Sequence, residues 1–148
     1  MQQNHDLPAL QLGWREWVRL PTLGIERIKA KVDTGARTSA LHAFKLERTQ
    51  VSGVENVRIW LHPLQYDTTQ VVVCETPIID QRNVTDSGGH SEMRFVIEAD
   101  LLLGAETRKI ELTLTDRETM RYRLLIGRTA LKNTAVIPSR SYMLGKLN

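Results

Sequence analysis

The sequence has 148 residues, of which 41% are hydrophobic and 25% charged, a balance typical of one globular domain. No apolar run approaches the roughly 18 residues needed to cross a bilayer, and residues 1–6 lack the features of a signal peptide. The formal net charge of +3 is small and mixed, so charge alone gives no expectation of direct nucleic-acid binding. The single cysteine, Cys74, fits a reducing compartment, and we expect a cytoplasmic protein.

The first part of the chain predicts two strands joined by a turn. Residues 1–10 are expected to form a flexible tail, and residues 11–148 to form a single domain. An aromatic-rich segment at 12–20 predicts a strand, which a turn with proline and glycine ends at 21–24. Residues 25–32 then alternate apolar and basic side chains, which indicates a half-buried strand.

The middle of the chain gives weaker signals. Residues 38–47 fit no single pattern, whereas residues 57–61 alternate and predict a strand. The β-branched run at 71–74 predicts a buried strand, and Pro77 limits the following residues to an edge or a bend. Residues 81–91 are polar and contain two glycines, which predicts a mobile turn.

The last third contains the clearest hairpin signal. Residues 93–101 and 110–114 both alternate apolar and polar side chains and are separated by a glycine turn. A short apolar strand at 124–126 precedes a segment at 129–133 that resembles a short helix. Residues 142–145 could add a last strand. Short strands with turn signals between them predict an all-β sandwich or barrel.

The strand at 25–32 leads into an Asp-Thr-Gly turn, in which each residue type has a chemical use. Asp33 is a hydrogen-bond acceptor and a potential general base. Thr34 offers a hydroxyl that can tie the loop to a neighbour, and Gly35 lets a second backbone approach closely. The same three residue types also occur in ordinary turns, so the motif alone is a weak signal.

A second motif makes the first more specific. About ninety residues after Asp33, an apolar strand ends in Gly127 and Arg128. The combination resembles the retropepsin family, the single-domain aspartic proteases of retroviral type. It is still more similar to a bacterial family of retropepsin-like proteins, often labelled ATP-dependent zinc proteases, and this resemblance covers nearly the whole chain. The segments that carry it are 13–16, 23–25, 29–43, 85–89, 114–117 and 126–128.

The resemblance implies a fold and a set of site residues. The implied fold is a closed, all-β acid-protease barrel with one short C-terminal helix, assembled as a homodimer. The extra length relative to retroviral relatives is expected between about residues 45 and 85. The implied catalytic residues are Asp33, Thr34 and Gly35, and the implied substrate-binding residues are Ala36, Arg37, Gly88, Gly89, Gly127 and Arg128.

An aspartic protease needs two carboxylates around one water molecule. This chain has one Asp-Thr-Gly motif, because the aspartates in its other turns (Asp67, Asp86 and Asp116) are not followed by Thr-Gly. The second carboxylate is therefore expected from a second copy of the chain. Residues 142–148 are expected to contribute to the interface.

The implied substrate is a peptide or protein. Retroviral relatives usually carry an acid at the position of Arg37, so Arg37 and Arg128 could place positive charge beside the cleft. Members of the bacterial family are associated with an ATP-grasp ligase that adds glutamates to a ribosomal protein. Acidic protein tails are therefore an expected substrate, because guanidinium groups bind carboxylates bidentately. Pairing of both arginines with acids of the same fold is an equally open interpretation.

Two alternatives follow from other features. The histidines (His5, His42, His62 and His90) are scattered, so a zinc site would require His42, His90 and Cys74 to meet in space. The phosphate-binding motif Gly-x-x-x-x-Gly-Lys-Ser/Thr does not occur, and we expect neither a metal nor another cofactor. Cys74 paired with His42 as a nucleophile is a weaker hypothesis. The main competitor to a peptidase is a non-catalytic module that binds acidic tails or a ribosomal partner.

Overall fold

The computed structural model describes residues 10–85, 87–118 and 121–145. Its regular structure consists of β-strands and two single 3₁₀ turns, Pro21–Leu23 and Arg128–Ala130, so the predicted all-β class is confirmed. In this part of the chain no helix is long and apolar enough to cross a membrane. The strands are β1 Leu10–Gly13, β2 Arg15–Leu20, β3 Ile25–Val32, β4 Ser39–His42, β5 Lys45–Val51, β6 Val54–Leu61, β7 Val72–Pro77, β8 Asp80–Thr85, β9 Ser91–Leu103, β10 Glu106–Thr115, β11 Leu124–Ile126 and β12 Thr134–Ile137.

The largest sheet has seven strands in the order β10-β4-β11-β3-β2-β9-β8. Strand β9 also pairs with β10, so six of these strands form a closed ring of pairings and β8 lies outside it. Strands β3 and β11 are parallel, and Val32 is aligned with Ile126. This pairing places the residues that follow both strands at the same end of the sheet.

A three-stranded sheet of β5, β6 and β7 packs against the ring. Val57, Ile59 and Leu61 of β6 are fully buried in the same core as Ile97 and Leu112 of the ring. Burial of such side chains is the main stabilising term, at about 1.5–3 kcal/mol each. This second layer is formed by residues 45–77, most of the segment where the extra length was predicted, whereas Asp80–Thr85 joins the large sheet.

The predicted hairpin and the predicted turn before it have different outcomes. The β9–β10 hairpin is confirmed, with antiparallel register from Leu103 opposite Glu106 to Val96 opposite Thr113. The polar segment at 81–91 is mostly strand rather than turn, because Asp80–Thr85 pairs with the start of β9. Only the tip of this β8–β9 hairpin turns, with Gly89 at a φ of 85°.

Several local predictions are wrong. The segment at 129–133 forms a 3₁₀ turn, and residues 142–145 form a turn instead of a strand. The segment at 71–74 is not a buried strand, because Val73 is 52% exposed on the open face of β7. β-Branched residues suit a half-exposed strand as well as a buried one, so the run could not distinguish them.

The N-terminal segment departs from the prediction in one respect. The strand predicted at 12–20 is divided at Trp14 into β1, which pairs in parallel with β12, and β2, which joins the ring. Leu10 already belongs to β1, whereas residues 1–9 of the predicted tail lie outside the described residues.

Candidate active site

The Asp-Thr-Gly loop begins where β3 ends, and backbone hydrogen bonds fix it. The N–H of Asp33 donates to the carbonyl of Ile126 at 2.8 Å, which continues the β3–β11 pairing. The N–H of Gly35 donates to Oδ1 of Asp33 at 3.1 Å, and the N–H of Ala36 donates to the carbonyl of Asp33 at 3.2 Å. The loop therefore presents a half-buried carboxylate in one orientation.

Gly127 lies beneath this loop, where two chain segments cross. Its N–H donates to the hydroxyl of Ser39 at 3.0 Å, and the next N–H, of Arg128, donates to the carbonyl of Ala36 at 2.8 Å. A Cβ atom at position 127 would lie 2.6 Å from the carbonyl carbon of Thr38. Only glycine allows this approach without moving the backbone.

The side chain of Arg128 supports the loop from the other side. Its Nη1 donates to the carbonyls of Thr34 and Gly35, at 3.0 and 3.1 Å. Hydrogen bonds from a charged donor are stronger than neutral ones, so this guanidinium holds the turn that carries Asp33. Within the described residues Arg128 hydrogen-bonds to the loop, and it does not line the cavity that lies in front of Asp33.

A cavity of about 900 Å³ lies in front of Asp33, between the Asp-Thr-Gly loop and the β8–β9 hairpin. Of the predicted site residues, Asp33, Gly35, Ala36 and Arg37 line it. Thr34, Gly88, Gly89, Gly127 and Arg128 do not, although Ser87 and His90 bring the hairpin tip to its wall. The lining residues that the sequence did not indicate include Ala40, His42, Arg82, Glu92, Arg94, Thr113, Thr115, Arg117 and Leu125. Alternation along β4 was the available signal, because it places Ala40 and His42 on one face.

The cavity is rich in arginine, and most of these arginines have acidic partners. Arg94 and Arg117 lie 3.5 and 3.6 Å from the carboxylate of Glu92. Arg37 is exposed, and no carboxylate among residues 10–85, 87–118 and 121–145 forms an ion pair with it. The charge that Arg37 brings to the cavity is therefore not neutralised within this part of the chain.

Arg82 belongs to the network on the β8–β9 hairpin. It donates to Oε1 and Oε2 of Glu111 at 2.8 and 3.3 Å and to Oδ2 of Asp80 at 2.8 Å. The hydrogen bond to Glu111, and to a smaller extent the one to Asp80, raises the pKa of Arg82 above its ordinary value. Arg82 therefore remains cationic and ties β8 to β10.

His42 is a buried histidine in the cavity wall. Its side chain is 6% exposed, Nδ1 lies 3.1 Å from the carbonyl of Arg117, and Nε2 has no hydrogen-bond partner among the described residues. Burial lowers the pKa of His42, although the contact with the Arg117 carbonyl opposes this effect. Donation to a carbonyl requires a proton on Nδ1, which leaves Nε2 as an acceptor in the neutral ring.

The residues considered for a zinc site do not form a ligand cluster. His42 and His90 line the same cavity, but Cys74 lies in β7 and does not. Across the described ranges no three His, Cys, Asp or Glu residues are grouped to hold a metal ion. Burial raises the pKa of the Cys74 thiol to about 11, which also disfavours a thiolate nucleophile at neutral pH.

An all-β domain with one Asp-Thr-Gly loop, locked from below by a Gly-Arg pair, is characteristic of retropepsin-like proteins. The family described as "Retropepsin-like aspartic endopeptidase RimB" matches residues 11–146, and this chain belongs to that RimB-like family.

Individual relatives have names that differ from the description of the family. The chain is 43% identical over 136 residues to a probable alpha-L-glutamate ligase of Shewanella pealeana, and the alignment covers 91% of this chain and 30% of the relative. It is 41% identical over 146 residues to a probable alpha-L-glutamate ligase of Desulfotalea psychrophila, covering 98% of this chain and 32% of the relative. The chain thus spans about a third of the length of these relatives.

A solved structure shows the same fold. The Legionella pneumophila protein Lpg0085, described as having unknown function, matches with a TM-score of 0.76 and 25% identity. The match covers 92% of this chain and 98% of the Legionella chain.

Proposed function

We propose that this chain is one half of a homodimeric aspartic peptidase, in which Asp33 of each copy contributes one of the two catalytic carboxylates. The observation that carries the proposal is the half-buried Asp33 carboxylate on a braced loop at the wall of a large cavity. The chain has no second Asp-Thr-Gly motif. The family description supports the same chemistry.

The proposed mechanism uses the two carboxylates in different protonation states. Two carboxylates about 3 Å apart cannot both remain ionised, so they share one proton. The ionised one takes a proton from water, and the protonated one polarises the scissile carbonyl. Thr34 and Gly35 are exposed beside Asp33, which leaves them available to contact the same loop of a second copy.

For the substrate, we infer an acidic peptide, with glutamate tails as the extreme case. Arg37 supports this inference because it is the cavity arginine that has no acidic partner among the described residues. The glutamate-ligase names of the relatives support a link to glutamate chemistry. Because the chain spans less than a third of the length of these relatives, the inference is limited to a shared pathway and does not extend ligase activity to this chain.

The catalytic proposal is tested by mixing the parent with Asp33→Asn. If both carboxylates are required, a fully exchanged equimolar mixture retains about one quarter of the activity of the same total amount of parent. If each copy works alone with its own Asp33, the mixture retains about one half, and if one carboxylate is enough for a shared site, it retains about three quarters. Cleavage by Asp33→Asn as fast as by the parent would contradict the catalytic role of Asp33, whereas absence of cleavage by the parent would favour the non-catalytic binding module.

The substrate proposal is tested with a peptide bearing a polyglutamate tail and a neutral peptide of equal length. Arg37→Ala should reduce kcat/KM on the acidic peptide by at least about tenfold, because a charge-assisted contact contributes about 1.5–3 kcal/mol. Lys132→Ala, an equal loss of charge at an exposed position outside the cavity lining, should not. Equal rates of the parent on both peptides, unchanged in Arg37→Ala, would exclude an acidic preference.

A further inference from the structure

Aromatic rings and cations alternate on the outward face of the β2–β3 hairpin. At one end the guanidinium of Arg27 lies 5.0 Å from the ring centre of Trp17. We call the whole row the ladder, and its members in spatial order are Trp14, Arg15, Tyr142, Lys29, Trp17 and Arg27.

Each inner cation of the ladder lies between two rings. The guanidinium of Arg15 is 4.5 Å from the ring centre of Trp14 and 4.8 Å from that of Tyr142. The ammonium of Lys29 is 5.6 Å from Tyr142 and 5.0 Å from Trp17. These distances are within the range of cation–π attraction, which holds the cations in place without neutralising their charge.

Two further cations extend the same face. Lys31 is aligned with Arg15 across the hairpin, and Arg19 follows Trp17 on the outward side of β2. Within the described ranges, no ion pair joins Arg15, Arg19, Lys29 or Lys31 to a carboxylate. The face therefore concentrates Arg15, Arg19, Lys29 and Lys31, whereas the whole chain has a formal net charge of only +3.

Of the two acids in these strands, only one lies near the cations of this face. Glu16 is fully buried and accepts hydrogen bonds from backbone N–H groups, so it does not face the ladder cations. Glu26 is exposed at the start of β3 and lines a small cavity together with Arg19 and Arg27, so it offsets one charge at that end of the face. Arg15, Arg19, Lys29 and Lys31 against this one acid leave the face with a net positive charge.

Tyr142 is held in the ladder by a strained backbone. Its φ is 55°, in the left-handed region, and its N–H donates to the carbonyl of Arg15 at 3.0 Å. The neighbouring N–H of Trp14 donates to the carbonyl of Arg140 at 2.8 Å. Such conformations persist only where surrounding contacts impose them, and they are concentrated at functional sites.

We propose that the ladder face binds single-stranded nucleic acid, with its cations on the phosphates and its rings beside the bases. Alternate residues of a strand are about 6.6–6.8 Å apart, so each strand presents a regular row of donors along an extended backbone. Aromatic rings and arginine planes provide stacking surfaces for unpaired bases. An acidic peptide would use the charges but not the rings, so the interleaving favours nucleic acid.

The test uses the full chain and a fluorescently labelled, unstructured RNA of about 12 nucleotides, within the usual site size. Anisotropy titrations between about 50 and 200 mM salt give both Kd and its salt dependence. Arg15→Gln combined with Lys29→Gln should weaken binding at least about tenfold and reduce the slope of log K against log salt by about 1.4, or 0.7 for each lost phosphate contact. Lys31 is left unchanged because it pairs with Leu125, which lines the cavity.

The matched control removes two cations from another ring. Lys45 and Arg58 lie 4.5 and 5.9 Å from the ring centre of Trp60 on the three-stranded sheet. Lys45→Gln combined with Arg58→Gln should leave the RNA affinity within about twofold of the parent. These two cations make no phosphate contacts in the proposed complex, so their loss should also leave the salt dependence unchanged. Circular dichroism verifies the folding of both proteins, and Lys29→Gln alone replaces the double variant if that does not fold.

Two results would overturn the proposal. One is equal RNA affinity of the ladder variant and the control variant. The other is displacement of the RNA by a polyglutamate peptide of the same charge at equal concentration, which would make the face a surface for acidic peptides. In support, Trp17→Leu should weaken RNA binding without changing the salt slope, because it removes a ring and no charge.

Discussion

The carboxylate of Glu16 is fully buried where β1, β2 and the C-terminal segment meet. It accepts hydrogen bonds from the N–H groups of Gly13, Met143 and Leu144, at 2.7, 2.9 and 3.0 Å. These three donors would be buried without a partner if the carboxylate were removed. One side chain thus fixes the segment that carries Tyr142.

We expect Glu16→Gln to lower the free energy of unfolding by about 1–3 kcal/mol. The amide NH₂ would face at least one N–H donor and leave it unsatisfied. Glu26→Gln, the same change at an exposed position, should cost less than about 0.5 kcal/mol. Urea denaturation of the three proteins measures the difference, and equal midpoints would show that Glu16 contributes nothing to stability.

The buried His42 predicts a dependence of stability on pH. Burial lowers its pKa, and the charges of Arg94 and Arg123 act in the same direction, whereas the Arg117 carbonyl and Glu92 oppose them. Below about pH 6.5 the unfolded state takes up a proton on this histidine that the folded state does not. Stability should therefore fall as the pH drops from 6.5 towards the lower folded pKa, by at most about 1.4 kcal/mol per pH unit.

His42→Asn should remove this part of the dependence, because the asparagine amide can donate to the same carbonyl and does not titrate. Free energies of unfolding at several pH values, for the parent and the variant, give the two slopes. Above about pH 7.5 the slopes should agree, since the imidazole is neutral in both states there. Identical slopes below pH 6.5 would contradict the assignment.

At the scale of elements, the Asp-Thr-Gly loop depends on the close crossing beneath it. Gly127→Ala would place a Cβ 2.6 Å from the Thr38 carbonyl carbon and 2.8 Å from its oxygen. We expect a loss of about 1–3 kcal/mol in stability, as for other overpacked sites, and a lower kcat because the support for Asp33 shifts. The control is Gly53→Ala, where a Cβ meets nothing within 4 Å and only the φ of 81° opposes the change. Equal kcat in both variants would show that the crossing does not position Asp33.

Elements with a clear periodicity could be predicted from the sequence, and those set by tertiary contacts could not. The β9–β10 hairpin was predicted because alternation directly records which side chains face the core. Residues 129–133 were predicted as a short helix, but the regular structure there is the 3₁₀ turn Arg128–Ala130, because sequence propensity does not decide the outcome for so few residues. The break at Trp14 has no local signal, because it arises from the parallel pairing of β1 with a strand more than a hundred residues away.

At the scale of the whole molecule, the position of Asp33 could be predicted because its motif is local. The roles of its surroundings could not. Arg128 was expected beside the substrate, but its guanidinium binds carbonyls of a loop 93 and 94 residues earlier in the chain. The ladder depends likewise on Tyr142, which reaches β2 and β3 only in the folded chain. Contacts between distant segments leave no periodic trace in a single sequence.

The requirement for two copies can be tested in one covalent molecule. Two copies of the chain joined by a Gly/Ser linker of about 30 residues, which spans roughly 30 Å on average, can form the proposed dimer within one molecule. Activity per molecule of the tandem should not change on dilution, whereas activity per chain of the single-copy protein should fall as its dimer dissociates.

The decisive comparison carries Asp33→Asn in only one half of the tandem. If each half supplies one carboxylate, this single substitution should lower kcat at least about 100-fold, the usual size of a general acid–base contribution. The same tandem with Asp67→Asn in one half should keep full activity, because Asp67 lies in an exposed turn and does not line the cavity. Peptide cleavage is measured well below the concentration at which tandems associate with each other. If the Asp33→Asn tandem keeps half of the parental rate, each copy works alone and the shared dyad is wrong.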